Sequence, residues 1–341
     1  MAATIKDVAK LANVAISTAS RVINNSGYVS DETRARVEQA VKELDYTPNS
    51  IARSLKQKST YSLGLVVTDI GNPFFSEVAQ AVERAAREQG YSVLLVNTDG
   101  KAEQERDGVD LLVAKQVDGI IWYSPINSKL AEELSQRKSG PVIVTITGRR
   151  EPIGTHTIHI NDEIGAFEAV NHLIRLGHTR IGYIAEPEGP EYPQERLHGY
   201  LRSLQEAKLP VDRSLIVRGD YQQGGGRKAI KEILKNRPLP TAIFAANDLM
   251  AVEAIQYARE IGLEVPQDLA VVGFDDIMLA GLRGIDLTTV AQPKYEMGQE
   301  ATKLLISTLK KEKASRYITL LPSLVIRRSC GYRLKGSAVS W

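Results

Sequence analysis

Residues 4–24 read TIKDVAKLANVAISTASRVIN. Thr4 followed three residues later by Asp7 resembles a capping box, with an oxygen for orphan backbone donors and an acid near the positive end of a helix. Val8, Leu11 and Ala12 recur at i, i+3 and i+4 and make one apolar stripe. Asn13 and Val14 form a tight turn. A second helix is expected from about Ile16 to Asn24, with Ala19, Val22 and Ile23 inward. Ser30 stands where a third helix is capped, with Val37, Ala40, Val41 and Leu44 inside. Two short helices joined by a tight turn make a helix-turn-helix, whose second helix can present its N-terminal side chains to base edges in a major groove. Those are Ile16, Ser17 and Thr18, with Arg21 one turn on. Arginine reaches guanine bidentately; serine and threonine serve bases or phosphates. A purely structural three-helix bundle also fits this spacing.

Beyond the bundle, Tyr46-Thr47-Pro48-Asn49 interrupts the helix, and Asn49 can cap a new one. Ser50 to Gln57 is a short helix candidate with too few turns to hold alone in water. It carries Ala52, Arg53, Leu55 and Lys56. A lone leucine among cations suits an apolar wedge in a minor groove, with the cations on phosphates; an ordinary linker helix is the other reading. Lys58 to Ser62 reads as a linker.

From Leu63 the pattern changes. Strand candidates are 63–67, 92–97, 119–123, 142–146, 180–185, 216–217, 242–246 and 270–274. Helix candidates between them are 74–89, 103–115, 163–176, 195–207, 227–236 and 249–261. Near-continuous apolar strands separated by helices imply parallel sheets covered on both faces. Roughly nine strands is many for one open sheet, so two similar α/β lobes with a cleft between them is the economical arrangement. The expected division is a head at 1–48, a hinge helix and linker at 49–60, and a core at 61–341. Its first lobe takes about 61–160 plus 291–320, and its second about 161–290 plus 321–341.

Composition limits the function. The chain has 341 residues, 43% of them hydrophobic and 25% charged, as expected of a folded chain and not of a disordered one. Net charge is +2. Residues 1–60 hold nine Lys/Arg against six Asp/Glu, so a mildly basic head precedes a near-neutral body and hints at a polyanion partner for the head alone. The single cysteine, Cys330, excludes a disulfide framework and a Cys-based zinc site. Met1 to Lys10 lacks the apolar region of a secretion signal, and no apolar run approaches a membrane span. The expected place is the reducing cytoplasm, with no membrane partner.

Polar residues stand at strand ends, where α/β sheets bind ligands: Asp69, Asn97, Asn247-Asp248 and Asp275-Asp276. Helix capping is the plainer role for each alone. Together in one cleft they would suit a polyol or sugar, with Tyr221 and Phe74-Phe75 as aromatic walls. Enzyme signals are poor. The adjacent Asp275 and Asp276 point apart on a strand end, G-x-S-x-G is absent, and Gly224-Gly225-Gly226 reads as a permissive turn, not a phosphate cradle. The five histidines show no metal spacing. Neither catalytic residues, a metal nor a cofactor is expected.

These residues together resemble a known family. Thr4-Ile5-Lys6-Asp7-Val8-Ala9, Ser17-Thr18-Ala19-Ser20-Arg21-Val22-Ile23-Asn24 and 46–55 are similar to the head of the LacI/GalR bacterial repressors. Asn72-Pro73-Phe74-Phe75, Val117-Asp118-Gly119-Ile120-Ile121, Leu176-Gly177-His178, Ala246-Asn247-Asp248, Val272-Gly273-Phe274-Asp275-Asp276 and Gln292-Pro293 continue the match to about residue 332. The resemblance implies a homodimer reading a pseudo-palindromic double-stranded operator, with Leu55 from paired hinge helices inserted centrally. The implied DNA contacts are Thr4, Ile16, Ser17, Thr18, Ser20, Arg21, Asn24, Tyr46, Asn49, Ala52, Arg53, Leu55 and Lys56. It also implies a core like periplasmic sugar-binding proteins, holding a small effector, most simply a sugar, between the lobes. The matching positions are Phe74, Phe75, Tyr192, Arg196, Tyr221, Asn247, Asp275 and Gln292. The implied function is a repressor gated allosterically by that effector; control by a partner protein is the alternative. Three departures stand out. Ala15 replaces the usual serine before the recognition helix. Gly148-Arg149 replaces the usual Asp-Arg, so a ligand-binding carboxylate is expected to be missing. The 186–195 loop is acidic and proline-rich.

Overall fold

The computed structural model describes residues 3–46, 59–137, 139–189, 192–221, 224–312 and 316–332. The chain divides into two compact units, Met1–Thr60 and Tyr61–Trp341.

The first unit is all helical: α1 (Ile5–Leu11), α2 (Ile16–Ile23) and α3 (Asp31–Glu43). The capping box forms as its residues predict. Thr4 accepts from the Asp7 amide, and its own amide donates to Asp7 Oδ2 at 2.9 Å. These bonds from Thr4 hold the Asp7 carboxyl below its ordinary range. Ala15 caps α2 with no side-chain bond. Ser30 holds the N-cap position of α3 but differs from expectation: its hydroxyl bonds to Thr33 Oγ1 at 2.9 Å, not to the helix backbone. Val8, Ala19, Val22, Val37 and Ala40 make the small core.

The second unit carries two six-stranded sheets, one per lobe. The first lobe holds β1 (Ser62–Val67), α4 (Pro73–Glu88), β2 (Ser92–Asn97), α5 (Ala102–Ala114), β3 (Gly119–Tyr123), α6 (Ser128–Ser135), β4 (Val142–Thr147) and β5 (Thr157–Ile160). The chain then crosses into the second lobe, with α7 (Asp162–Arg175), β6 (Ile181–Ala185), α8 (Glu195–Glu206), β7 (Ile216–Arg218), α9 (Gly225–Ile233), β8 (Ala242–Ala245), α10 (Asp248–Glu260), β9 (Ala270–Asp275) and β10 (Thr288–Ala291). It returns to the first lobe for α11 (Lys294–Leu309) and β11 (Tyr317–Leu320), then crosses once more for β12 (Ser323–Val325). Strand orders are β11-β5-β4-β3-β1-β2 and β12-β10-β9-β8-β6-β7. Every described pairing is parallel except β10 with β12.

Helices cover both faces, which is why inner strands read as unbroken apolar runs. In the first lobe α4 and α11 bury one face through Phe74, Val78, Val82, Met297 and Leu305; α5 and α6 bury the other through Val109, Leu112, Leu130 and Leu134. The edge strand β2 leaves Leu94 and Leu95 exposed. The triglycine is the expected permissive turn at Gly224, while Gly225 and Gly226 already belong to the helix that follows. Gly224 takes the left-handed φ of +91° before α9, and a Cβ on Gly226 would lie 2.5 Å from the Met250 backbone. Glycine there lets α9 press against α10.

No helix among the described residues is long and apolar enough to cross a membrane.

Candidate functional sites

In the head, α2 buries Ala19 and Val22 and turns Ile16, Ser17, Arg21 and Asn24 outward. Thr18 and Ser20 are half-buried at the edge of this face. Asn24 Nδ2 donates to the Ser20 carbonyl at 2.8 Å and to its hydroxyl at 3.2 Å, which fixes Ser20. Thr4 is engaged in its cap. Tyr46 packs against the head core. Asn49, Ala52, Arg53, Leu55 and Lys56 lie outside the described residues. Sequence reasoning passed over Tyr28, whose side chain is 92% exposed after Gly27 in the α2–α3 turn. Its position in a turn hides it from any periodicity.

In the core, a cavity of about 130 Å³ lies between the lobes, many times the roughly 10–15 Å³ one water needs. All eight positions carried over from the family resemblance line it. The first lobe supplies Phe74 and Phe75 at the start of α4; the second supplies Tyr192, Arg196, Tyr221, Asn247 and Asp275; Gln292 sits on the returning crossover. Local structure explains their placement. Asn72 accepts from the Phe74 amide at 3.0 Å, and Pro73 occupies the first turn, so the phenylalanines begin a helix facing the strand ends. Asn247 caps α10 through the Met250 amide at 2.9 Å. It caps the helix and also lines the cavity.

Aromatic rings form the apolar walls. Phe74, Phe75 and Tyr123 meet edge to face, with centroids 5.1–5.6 Å apart. Tyr192 and Tyr221 also meet edge to face, with centroids 6.2 Å apart. Burial pushes the hydroxyls of Tyr123 and Tyr221 well above their ordinary range, so both stay neutral donors.

Charge concentrates on Arg196, whose guanidinium lies 3.8 Å from the Phe274 ring centroid. Nε and Nη2 each contact Asp162 Oδ2 at 3.0 Å, and Nη1 meets Asp275 Oδ1 at 3.5 Å and the Ala246 carbonyl. Burial works against this charge, but Asp162 and Asp275 keep the guanidinium ionised. Gln292 Nε2 donates to Asp275 Oδ1 at 2.7 Å. Burial pushes the Asp275 carboxyl up to about 6, against the pull of Arg196 and the Gln292 bond. Its neighbour Asp276 turns away to Arg327 at 2.7 Å. The two carboxylates point apart, as adjacent positions at a strand end require.

The strand end at Gly148 lacks a carboxylate, as expected, but Asp162 comes close beside it. A Cβ on Gly148 would sit 2.9 Å from Asp162 Oδ2. The carboxylate arrives instead from the first turn of α7, just past the crossover. Sequence reasoning missed it because Asn161-Asp162-Glu163 reads as helix-capping chemistry. Asn161 does cap α7, through the Ile164 amide at 3.1 Å, which frees Asp162 for the cavity. Tyr123 and Ser124 also line the cavity unforeseen.

Ion pairs and hydrogen bonds join the lobes. Arg150, after β4, pairs with Glu163 and, at 3.3 Å, with Glu195. Lys294, at the start of α11, donates to the Asp275 and Asp276 carbonyls at 2.8 and 2.6 Å.

Comparison with known proteins agrees with this architecture. Residues 4–49 match the family described as bacterial regulatory proteins, lacI family, and residues 170–330 match a periplasmic binding protein-like domain. The chain is 37% identical to the HTH-type transcriptional repressor PurR of Aliivibrio salmonicida, over 96% of this chain and 98% of that one. It is 40% identical to the HTH-type transcriptional regulator DegA of Bacillus subtilis, again over 96% and 98%. A lac repressor dimer bound to operator and the anti-inducer ONPF superposes with a TM-score of 0.86 at 29% identity, covering 97% of this chain and 99% of that one. The relatives are named as regulators, not enzymes. The chain belongs to the lacI family of bacterial regulatory proteins: DNA-binding transcriptional regulators with a helical head and a two-lobed, periplasmic-binding-protein-like core.

Proposed function

We propose that this regulator is a repressor that binds its operator as a homodimer and is gated by a small polar molecule held between the lobes of its core. The observation that carries the reading is the placement of polar cavity residues on the crossovers. Asp162 follows the first crossover and Gln292 lies on the second, and both bond to side chains of the Arg196–Asp275 cluster. A molecule touching them would favour one lobe angle over another, and can shift the population by no more than its differential affinity for the two.

On the DNA side, Ile16, Ser17 and Arg21 on the exposed face of α2 would read bases, with Thr18, Ser20, Asn24 and Tyr28 beside them on phosphates or the groove wall. The hinge at 49–60, read from sequence, would place Leu55 between base steps, with Arg53 and Lys56 on the backbone. Phosphate contacts make such binding steeply salt-dependent.

Selection of bound sequences from a random duplex library with the full chain tests the reading. The expected product is an inverted repeat with half-sites about one helical turn apart. Enrichment of a single unrepeated site would refute the dimeric operator. On the selected operator, Leu55→Ala should weaken binding by at least tenfold; unchanged affinity would remove the wedge.

A further inference from the structure

Arg150 does not line the cavity. It stands in a separate groove with Glu163, Glu195, His198 and Arg202. It follows β4 in the first lobe, and Tyr317 of β11 holds its backbone there, donating to the Arg150 carbonyl at 3.3 Å. Its guanidinium reaches two acids of the second lobe: Nη2 meets Glu163, and Nε lies 3.3 Å from Glu195. A planar fork suits two acids at once.

The two acids form a fixed receptor. Glu163 stands in the first turn of α7 and Glu195 begins α8. The helices touch at Gly199, where a Cβ would lie 2.3 Å from the Glu163 carbonyl, so neither acid moves without the other. Both side chains are nearly buried, 11% and 12% exposed. Oε2 of each takes no hydrogen bond among the described residues. Their cations within the second lobe are poorer. Arg202 reaches Glu163 Oε1 at 3.5 Å while it stacks on Phe167 and bonds to Glu206 at 2.9 Å. His198 stands 3.8 Å from Glu195 Oε2 and balances it only when protonated. The acids therefore draw their main countercharge from the other lobe. Parting the lobes on this side would trade that pairing for water. Arg150 is 63% exposed, so the exchange is modest: enough to bias a lobe angle, too little to lock it.

We propose that Arg150, Glu163 and Glu195 form an electrostatic latch that biases the effector-free core toward the lobe angle of this structure, and operator affinity with it. A latch of this strength leaves the angle open to a bound molecule, which needs only a comparable differential affinity to overcome it. The inference rests on the reading that lobe angle gates DNA binding.

The test is the interlobe distance distribution of the full chain without effector. Double electron–electron resonance reads it between spin labels at Glu133→Cys on α6 and Lys231→Cys on α9, both exposed; Cys330 is fully buried and escapes labelling. Labelled chain is diluted into unlabelled chain so that each distance lies within one protomer. Arg150→Met should raise the population of a second lobe-to-lobe distance at least about threefold. Arg150→Lys, a point charge that reaches one acid at a time, should fall between. Arg202→Met cuts contacts inside the second lobe only and should leave the distribution unmoved. In a Glu195→Gln background the effect of Arg150→Met should shrink. An unchanged distribution for Arg150→Met, or an equal change for Arg202→Met, overturns the latch and leaves the gating reading standing. On the selected operator, Arg150→Met should also shift affinity at least about threefold. A moved distance with unmoved operator affinity overturns the gating reading, and the regulatory half of this proposal with it.

Discussion

Glu105 makes a demanding test of the packing around the cavity. It lies on α5, 2% exposed, and accepts three hydrogen bonds: from Trp122 Nε1 at 3.0 Å, the Ile126 amide at 2.9 Å and the Asn127 amide at 2.8 Å. It thereby ties the α5 layer to the loop that carries Ser124 and Ile126 into the cavity wall. Glu105→Ala removes all three acceptors. The loop amides are only partly buried and can take water. The Trp122 nitrogen cannot, and a stranded buried donor costs about 1–3 kcal/mol. With the void left by the side chain, the expected loss is about 3–5 kcal/mol, a large part of a typical ~5–15 kcal/mol stability. Glu105→Gln can keep the oxygen that serves Trp122 and Ile126, but turns an amide nitrogen on the Asn127 donor, so about 1–2 kcal/mol should be lost. Urea unfolding followed by indole fluorescence reads this directly. The chain has two tryptophans, so a Trp341→Phe background leaves Trp122 as the reporter. An alanine variant within about 1 kcal/mol of the parent, or equal losses for the two variants, would refute the assignment.

Three further expectations follow from single contacts. Ala15→Ser adds the missing cap to α2 and should stabilise that helix by about 1 kcal/mol, read as slower hydrogen exchange of its first-turn amides; unchanged exchange would count against it. Gly199→Ala would place a Cβ 2.3 Å from the Glu163 carbonyl and 2.8 Å from the Phe167 amide. Backbone cannot yield cheaply, so α8 should lift from α7, carrying Arg196 off Asp162, at a cost of about 2–3 kcal/mol or more; a melting temperature equal to the parent's would refute the close approach. Because Asp275 titrates near 6 when folded and near 3.8 when unfolded, the folded state holds the proton more tightly. Stability from this group therefore falls as pH rises from about 4 to 6 and stays lower above, by about 3 kcal/mol for two units. Asp275→Asn should gain on the parent at pH 7.5 and lose that gain toward pH 4; a pH-independent difference would show that Asp275 does not titrate in that window.

Local chemistry was legible and long-range chemistry was not. The Thr4–Asp7 cap and the stripe of Val8, Leu11 and Ala12 depend on neighbours within a turn, so α1 could be read directly. The inner strands could be read because burial on both faces leaves unbroken apolar runs. What escaped were the short α6 and the long α11. Gly298 interrupts α11 like a breaker, yet a Cβ there would lie 2.6 Å from Ala81 and 2.8 Å from the Val82 amide, so the glycine is the point where α11 and α4 touch. The short strands β5, β10, β11 and β12 mix threonine, serine and histidine with their apolar residues and owe their pairing to partners far along the chain. The cavity residues were legible through motif resemblance, but Asp162 was not, because its role depends on a glycine on another lobe's strand.

The return of α11 has a consequence for synthesis. Its Met297, Leu304 and Leu305 fill the core against β1, β3, β4 and α4. By the time β5 leaves the ribosome, the first lobe has most of its sheet, but one apolar face is covered only by α4 and lacks α11. The covering helix emerges more than a hundred residues later, on the order of 10 s at roughly 5–20 residues per second. β11, the strand that closes the edge beside β5, follows later still. The first lobe therefore cannot complete itself in order of translation. In the interval the surface that α11 will cover is exposed apolar area, and a truncated chain ending before residue 294 should be aggregation-prone although most of its strands are present.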